Sequence, residues 1–193
     1  MGLPVAKLNL EQFIDWENEQ AERHEFYHGE VFAMVGVRRV HGVVGLNIAM
    51  SLKQQLNGSA CGVFVESLKL RVKENIFYPD VFVTCDKADL QTEMIFTSPT
   101  VIVEVLSPST QAFDRGLKFA AYRQILSLKE YLLVDPDTRV VELYRRGSDG
   151  LFTLHDYTDQ PTCELASIGC VLSTTDIFDG LAPSSISDTA DAA

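Results

Sequence analysis

The stretch VIVEVLSPST, residues 101–110, places an acid inside an apolar run. Valine and isoleucine precede Glu104, and valine and leucine follow it, so the run predicts a strand buried on both faces of a sheet. An ionised carboxylate without a partner in such a strand costs on the order of several kcal/mol. The sequence therefore predicts a partner for Glu104, which is a metal cation, a basic side chain or a proton.

A second acid begins another apolar stretch, YPDVFVTC, at residues 78–85. Pro79 cannot donate a hydrogen bond to a strand ladder, so the strand starts near it or lies at an edge. If the two strands are neighbours, Asp80 and Glu104 converge. Two carboxylates, with water and a substrate phosphate, are a common way to hold Mg²⁺. The simpler alternatives are a turn or cap role for Asp80 and an ion pair with Arg or Lys for Glu104.

Polar residues recur every four positions on the helix that the sequence predicts after Ser109, ending at about Leu126. Asp114, Lys118 and Tyr122 would then share one face of this helix. Because the helix directly follows the Glu104 strand, Lys118 could stabilise negative charge on a phosphate or orient an attacking water. The alternative is an exposed Asp–Lys pair of little energetic weight.

Other candidate residues are less specific. Glu25, in the hairpin sequence HEFYHGE, is a further candidate ligand or a solvated strand residue. Lys69, Arg71 and Lys73 alternate with apolar residues and are expected to point outward, where they could contact phosphates or only face solvent. His41 stands at a helix start, where capping or packing competes with a role in substrate binding.

Composition and missing motifs narrow the function classes. The net charge of −11 argues against non-specific coating of nucleic acid and agrees with a cation site. Neither a phosphate-binding glycine loop nor a serine-nucleophile elbow occurs, so we set aside nucleotide folds and a nucleophilic role for Ser107. The four cysteines form no C-x-x-C pair, which predicts reduced thiols rather than a zinc site.

The chain is expected to form one domain over residues 9–180, between a loose start at 1–8 and a flexible tail at 181–193. The apolar runs are too short to span a bilayer, and no secretory leader is recognisable, so we expect a soluble cytoplasmic protein without a membrane partner. The predicted helices cover about residues 9–21, 40–57 and 110–126. Hairpins are expected near both ends, at 25–35 and 140–157, with strands at 62–65, 68–73, 76–85, 101–106 and 131–134 between them.

Taken together, these motifs resemble the Uma-two family of restriction-endonuclease-like proteins, within the PD-(D/E)XK nuclease superfamily. The resemblance covers about residues 10–180. The residues that carry it are Glu25-x3-Gly29, His41, Pro79-Asp80, Glu104-Val105-x-Ser107-Pro108-Ser109-Thr110, Asp114, Lys118, Tyr122 and Tyr131 to Asp135.

The resemblance implies an α+β or α/β fold, a mixed β-sheet flanked by helices. It implies that Asp80, Glu104 and the carbonyl of Val105 bind a divalent metal, with Glu25 as an added acid. The superfamily pattern usually has a lysine two residues after the strand acid, where this chain has Leu106. The resemblance suggests that Lys118 takes this role and that Tyr122 lines the site.

We therefore expect a Mg²⁺-dependent DNA endonuclease, with Mn²⁺ as a substitute. Asp80, Glu104, Lys118 and Glu25 would be catalytic. The expected substrate contacts are Tyr122, Lys69, Arg71 and His41, and Lys69 is also the reserve for the catalytic lysine. A homodimer would let two sites cut both strands. The alternatives are a silent nucleic-acid or protein-binding module on the same fold and a metal-dependent phosphoesterase for small substrates.

Overall fold

The computed structural model describes residues 8–34, 36 and 38–182. The predicted loose start and flexible tail fall almost entirely outside these ranges, as does Val35, which was expected to end the first hairpin. The strands are β1 (His24–Tyr27), β2 (Glu30–Ala33), β3 (Gly62–Val65), β4 (Lys69–Val72), β5 (Asn75–Phe77), β6 (Val81–Thr84), β7 (Ile95–Phe96), β8 (Val101–Val105), β9 (Glu130–Val134), β10 (Val141–Arg146), β11 (Phe152–Asp156), β12 (Thr162–Leu165) and β13 (Cys170–Ser173). The α-helices are α1 (Leu10–Asn18), α2 (Arg39–Gln55), α3 (Gln111–Phe113), α4 (Phe119–Tyr122) and α5 (Thr174–Ile177), with a π-helical turn at Asp114–Lys118 and a 3₁₀ turn at Asp89–Gln91.

A six-stranded mixed sheet forms the centre of the fold, in the order β11-β10-β9-β8-β6-β3. The predicted central strand is confirmed, because every residue of β8 is buried between a parallel partner, β9, and an antiparallel partner, β6. β3 pairs antiparallel with β6 on its other side. The neighbouring strands that the Asp80–Glu104 hypothesis requires are therefore present.

A second, five-stranded sheet has the order β2-β1-β5-β4-β7. The prediction of one strand over residues 76–85 is wrong, since β5 belongs to this sheet and β6 to the six-stranded sheet. The chain passes from one sheet to the other at residues 78–80. Pro79, which cannot donate to a ladder, lies in that crossing, so it ends one strand pairing before the next begins.

Helical segments cover both faces of the six-stranded sheet. The apolar side of α2 packs on one face with Val44, Ile48 and Leu52, and the segment from α3 to α4 covers the other face. The helix predicted over residues 110–126 ends earlier than expected, because α4 ends at Tyr122 and Leu126 is 85% exposed. The hairpins β1–β2 and β10–β11 are confirmed. The pair β12–β13 and the short helix α5 had not been predicted.

The prediction of four reduced thiols is wrong for Cys61 and Cys85, which form a disulfide. Their positions explain the pairing. One cysteine precedes β3 and the other follows β6, and the antiparallel register sets Gly62 opposite Thr84. The next residues outward therefore face each other, with their Cα atoms 4.1 Å apart. Cys163 and Cys170 are free and buried.

In the part of the chain that the structure describes, no helix combines the length and the apolar character needed to cross a membrane.

Candidate active site

Lys118 lies at the centre of a cluster of buried acids between the two main sheets. Its Nζ atom is 2.9 Å from Glu25 Oε1, 3.0 Å from Glu104 Oε1 and 3.6 Å from Asp114 Oδ1. β1 carries Glu25, β8 carries Glu104, and the π-helical turn carries both Asp114 and Lys118. All four side chains are buried, so the reading of an exposed Asp–Lys pair is wrong. The structure thus brings together three of the four predicted catalytic residues with Asp114.

Burial and mutual charge set the protonation behaviour of this cluster. Burial raises the pKa of Glu104 well above its ordinary value, and the Lys118 ammonium group only partly opposes the effect. Burial likewise raises the pKa of Asp114. Burial alone would lower the pKa of Lys118, but the surrounding carboxylates outweigh it and raise that pKa well above its ordinary value. The raised pKa values of Glu104 and Asp114 mean that burial and mutual repulsion oppose full ionisation of the three acids around one ammonium group, and a further cation would reduce that opposition.

Two buried tyrosines fix the positions of the acid-bearing elements. The Tyr122 hydroxyl donates to Glu104 Oε1 at 2.9 Å, and the Tyr131 hydroxyl donates to the backbone carbonyl of Asp114 at 3.0 Å. Burial, reinforced by the charge of Glu104, raises the pKa of both hydroxyl groups well above the ordinary value, so both donate hydrogen bonds as neutral phenols. Tyr122 is fully buried, so it acts on the site through its hydrogen bond to Glu104.

Glu25 is held from the five-stranded sheet side. The backbone N–H of Tyr78 donates to Glu25 Oε1 at 3.1 Å, and the Tyr78 hydroxyl donates to Glu17 Oε1 at 2.9 Å. Glu17 also accepts from the backbone N–H of His24 at 2.9 Å. Glu17 is fully buried, and sequence reasoning missed it. Glu17 shares the buried side of α1 with Leu10 and Phe13. Because a buried acid needs hydrogen-bond partners, this helical spacing could have identified it.

Asp80 lies beside the acid–lysine cluster, at the end of β8 that carries Glu104. The backbone N–H of Val105 donates to Asp80 Oδ2 at 2.7 Å. The β6–β8 register, which sets Val81 opposite Val103, places Asp80 opposite Glu104 when it is extended by one residue. The predicted convergence of the two carboxylates thus has its structural basis in this register.

His41, near the start of α2, contacts the same carboxylate. Its Nε2 atom is 3.2 Å from Asp80 Oδ2, and its side chain is 9% exposed. Burial acts to lower the pKa of His41, but the hydrogen bond and charge of Asp80 raise it overall, with smaller effects of Glu66 and the Val105 carbonyl. The imidazole thus lies next to Asp80 and close to the carbonyl of Val105, two of the three expected metal ligands.

Sequence alternation correctly places Arg71 and Lys73 outward, where both are exposed, but Lys69 does not belong to this exposed face. Lys69 was expected to point outward, but it is 5% exposed, and its Nζ atom donates to Asn18 Oδ1 at 2.9 Å over the ring of Tyr78. The end of α1 covers this part of β4 and excludes water from the Lys69 ammonium group. This burial lowers the pKa of Lys69. Arg71 is exposed and lies 3.6 Å from Glu74. Neither basic residue contacts the acid–lysine cluster in the described residues.

An open groove lies next to His41. It has a volume of about 300 Å³, and its lining residues are Gly36, Arg38, Val40, His41, Leu106, Ser107, Pro108, Ser109, Thr110 and Pro136. The hydroxyl oxygen of Ser107 is 3.0 Å from those of Ser109 and Thr110. No side chain of the described residues caps the helical segment that follows at Thr110; the Ser107 carbonyl accepts from the Gln111 N–H instead. The hydroxyl groups therefore line the groove.

The available oxygen atoms are compatible with a divalent cation. Both contacts of Glu104 use Oε1, and both contacts of the Asp80 side chain use Oδ2. One oxygen of each carboxylate thus has no hydrogen bond from the described residues. Carboxylate and carbonyl oxygens are the ligands that Mg²⁺ and Mn²⁺ prefer. The residues at this site fit the metal that the resemblance implies.

Comparisons with known proteins agree with this architecture. Two curated Synechocystis proteins are similar to the chain: slr1290 is 36% identical over 181 residues, covering 93% of this chain and 95% of that protein, and sll1609 is 32% identical over 146 residues, covering 74% and 82%. Both are described as uncharacterized. A crystal structure from Anabaena variabilis, described as "a putative nuclease belonging to DUF820", has a TM-score of 0.72 at 17% identity and covers 89% of this chain and 97% of its own.

The Anabaena structure shows that the chain has this fold. The model of the Uma2 family, described as "Putative restriction endonuclease", matches residues 10–174. With most of the chain matched, this protein belongs to the Uma2 family.

Proposed function

We propose that this protein is a metal-dependent nuclease that hydrolyses phosphodiester bonds of DNA. One observation carries the proposal: a buried lysine is held among three carboxylates directly beside Asp80, at the ends of paired strands. A purely structural role gives no reason to bury so many acids, because apolar side chains of similar volume would be at least as stable. The descriptions of the family and of the Anabaena structure name nucleases, which supports the same activity.

Asp80, Glu104 and the carbonyl of Val105 would hold the metal, with Mg²⁺ or Mn²⁺ as the expected ion. When bound, it supplies Lewis-acid neutralisation of the scissile phosphate and a lowered pKa for a coordinated water. Lys118 donates to a non-bridging phosphate oxygen or orients the attacking water, which offsets charge that develops during the displacement. Glu25 and Asp114 hold the Lys118 ammonium group in place, and Tyr122 orients Glu104.

The position of Lys118 would compensate for the absence of a lysine two residues after Glu104, where this chain has Leu106. Leu106 is 2% exposed and belongs to the apolar cluster that includes Phe119 and Tyr122. A lysine there would have to leave this cluster to reach the site. Lys118 reaches Glu104 from the π-helical turn instead, at 3.0 Å. A cation is thus adjacent to the strand acid, although it comes from a different element.

The proposal is tested by calorimetric titration of Mg²⁺ and Mn²⁺ followed by cleavage of supercoiled plasmid. We expect the wild type to bind metal and cut plasmid. Glu104→Gln and Asp80→Asn should lose at least ~10-fold in affinity and all metal-dependent cleavage, because each removes a charged oxygen ligand. Glu164→Gln, which changes an exposed acid on β12, is the matched control. Cleavage at the wild-type rate by Asp80→Asn would refute the assignment.

The same measurements separate the proposal from its alternatives. Metal binding without turnover on any nucleic acid would favour a silent binding module, which the −11 net charge also suits. Turnover confined to small phosphoesters would favour a phosphoesterase, although the open groove beside His41 suits an extended substrate better than a small closed pocket would. Cleavage of both duplex strands would in addition support a homodimer that presents two sites.

A further inference from the structure

A second groove lies at the end of the six-stranded sheet opposite the candidate site. Its walls come from the β4–β5 turn, the segment before β8 and the loop after α4, and they include Arg71, Lys73, Thr97, Ser98, Gln124 and Leu126. Thr97 and Ser98 precede β8, whereas Glu104 stands near its other end, and β8 spans about 16 Å at ~3.3 Å per residue. The groove has a volume of about 430 Å³, which exceeds that of the groove beside His41.

The charge of this groove is opposite to that of the whole chain. Arg71 and Lys73 contribute two positive charges, and none of the described residues that line the groove is acidic. Arg71 lies 3.6 Å from the exposed carboxylate of Glu74, a surface pair of little energetic weight. In the described part of the chain, Lys73 forms no ion pair. The groove therefore presents two accessible cations in a protein with a net charge of −11.

The backbone conformation at Lys73 is unusual for its residue type. Lys73 and Glu74 form the two-residue turn between Val72 and Asn75, which are paired in register, and Lys73 has a φ of 55°. Glycine adopts a positive φ far more readily than lysine does. Strained residues of this kind are frequent at ligand-binding sites. The Nε–H of Arg71 donates to the Lys73 carbonyl at 2.9 Å, so the strained turn also holds the guanidinium group beside the lysine.

The opposite wall combines hydrogen-bonding groups with an apolar surface. Asp89 is buried and accepts from the backbone N–H groups of Thr97 and Ser98 at 3.0 and 2.8 Å, which fixes these two residues in place. Gln124 adds a side-chain amide. Leu126, from the loop after α4, is 85% exposed and offers an apolar surface to a ligand. The wall therefore suits a ring system that has both a flat apolar face and polar edges.

The two cations indicate the kind of anion that would bind. A phosphate monoester carries close to two negative charges at neutral pH, because its second pKa is about 6. The phosphates inside a DNA strand are diesters with one negative charge each. The charge of the groove thus matches a monoester better than a DNA backbone. Its volume also falls within the range of roughly 300–1,000 Å³ that is typical of small-molecule sites.

We propose that this groove binds nucleoside monophosphates, with Arg71 and Lys73 on the phosphate group and Leu126 against the base. The proposal does not depend on the nuclease activity, because the groove and the acid–lysine cluster lie toward opposite ends of β8. A free nucleotide and the phosphorylated end of a DNA strand present the same monoester, and the experiment separates these two sources.

The test is calorimetric titration of thymidine 5′-monophosphate into the full chain with EDTA present, so that no metal contributes to binding. We expect the wild type to bind this nucleotide. Affinity should fall at least ~10-fold for its methyl ester, which has one negative charge, and for Lys73→Gly and Arg71→Gln, because each change removes a charge-assisted contact. Lys87→Gly, at an exposed lysine outside the groove, is the control and should bind as the wild type does.

Urea denaturation adds a readout that a structural role for Lys73 would not produce. Lys73→Gly should be at least as stable as the wild type, because glycine relieves the positive φ. Lys87→Gly should be less stable, since glycine at an ordinary backbone position only increases the entropy of the unfolded chain. Weaker nucleotide binding by a protein that is not destabilised would show that the lysine serves the ligand and not the turn.

Equal affinity of the wild type, Lys73→Gly and Arg71→Gln would overturn the proposal, as would equal binding of the nucleotide and its methyl ester. Displacement of the nucleotide by a 5′-phosphorylated oligothymidylate, but not by its 5′-hydroxyl form, would identify a strand end as a ligand. Displacement by neither would assign the site to the free nucleotide. Asp80→Asn should bind the nucleotide as the wild type does, so the nuclease assignment and this site can fail separately.

Discussion

At the scale of single residues, Lys118 is the side chain on which the buried acids depend. Glu25, Glu104 and Asp114 surround its ammonium group, and all of them are shielded from water. Breaking a buried ion pair by removing one partner costs far more than the pair contributes in net stability, because the remaining charge stays buried without compensation. The lysine is therefore both a stabilising residue and a candidate catalytic one.

Lys118→Met should lower the free energy of unfolding by about 3–5 kcal/mol in the absence of metal. Methionine keeps most of the volume but leaves three acids without a cation. Mn²⁺ should restore more stability to this variant than to the wild type, because the ion can supply the missing positive charge. Urea denaturation with and without Mn²⁺ measures both effects, and Lys53→Met, on the exposed side of α2, serves as the control.

Equal stability of Lys118→Met and Lys53→Met would mean that the carboxylates take up protons without cost, and the electrostatic account of the cluster would fail.

The hydroxyl group of Tyr122 orients Glu104 and does not itself reach solvent. Tyr122→Phe should cost about 1.5–3 kcal/mol, the range for a hydrogen bond to a charged group. It should also weaken Mg²⁺ binding by about 10-fold or more, because outer contacts position metal-binding carboxylates. Calorimetry and urea denaturation give the two quantities.

Tyr131→Phe is the matched control for Tyr122→Phe, because it removes an equally buried hydroxyl that bonds to the backbone carbonyl of Asp114. It should lower stability and leave Mg²⁺ affinity nearly unchanged. If both variants lose the same affinity, the effect belongs to general loosening of the core and not to the orientation of Glu104.

The residues that sequence could identify are those whose placement conflicts with local apolar pattern. Glu104 inside VIVEVLSPST and Asp80 before VFVTC require compensation wherever they lie, so the pattern alone indicated a site. The identity of the compensating groups depends on the register between distant strands and on where α2 begins. For this reason the sequence pattern placed Lys69 outward, although the end of α1 covers it.

At the scale of elements, the π-helical turn Asp114–Lys118 places Lys118 next to the buried acids. Such turns are rare and are frequently found at functional sites. The repeat of polar residues every four positions correctly predicted that Asp114, Lys118 and Tyr122 share one face, since all three point into the buried cluster. It could not predict the widened turn, because the spacing of the residues is the same in a regular α-helix.

The disulfide between Cys61 and Cys85 joins the ends of β3 and β6 that lie away from the candidate site. The sequence separation is 24 residues, for which the loop-entropy relation gives a stabilisation of about 3–4 kcal/mol. Cys85→Ser should lower stability by up to this amount. At ~3.3 Å per strand residue, Cys85 lies on the order of 16 Å from Asp80 along the chain, so metal affinity should remain unchanged.

Urea denaturation of the wild type with and without reductant, and of Cys85→Ser, checks this prediction. Reductant should have no effect on Cys85→Ser, because Cys163 and Cys170 are free in the folded protein. Identical midpoints for the oxidised wild type and Cys85→Ser would contradict a stabilising bond. The sequence did not predict this bond, because the pairing register of β3 and β6 cannot be read from the sequence alone. The register sets Cys61 and Cys85 opposite each other, one residue beyond the paired strand ends.

At the scale of the whole molecule, the net charge of −11 has to be reconciled with binding to a polyanion. Lys118, the cation nearest to the candidate catalytic acids, is buried and already surrounded by carboxylates. Arg38 lines the groove beside His41, where it also pairs with Asp137. A divalent ion at Asp80 and Glu104 would therefore supply much of the attraction for a phosphate.

DNA binding should accordingly depend on a divalent ion and only weakly on monovalent salt. Each neutralised phosphate contributes about −0.9 to the slope of log affinity against log salt, so two or three contacts give a slope of about −2 to −3. Fluorescence anisotropy with labelled duplex in Ca²⁺, which binds oxygen ligands, measures affinity, and chelation of the ion should lower it at least ~10-fold. A slope near −8 would instead indicate an extended basic surface.

Arg38→Ala and Arg71→Ala distinguish which face of the molecule meets DNA. Arg38 lines the groove beside His41, and its exposed pair with Asp137 adds little stability, so its removal should weaken DNA binding several-fold without unfolding the protein. Arg71 lies against Glu74 and is not among the residues that line that groove, so Arg71→Ala should bind as the wild type does. The strand alternation around Lys69 had placed Arg71 among the substrate contacts. If Arg71→Ala loses affinity and Arg38→Ala does not, DNA lies along β4, and the groove beside His41 is not its path.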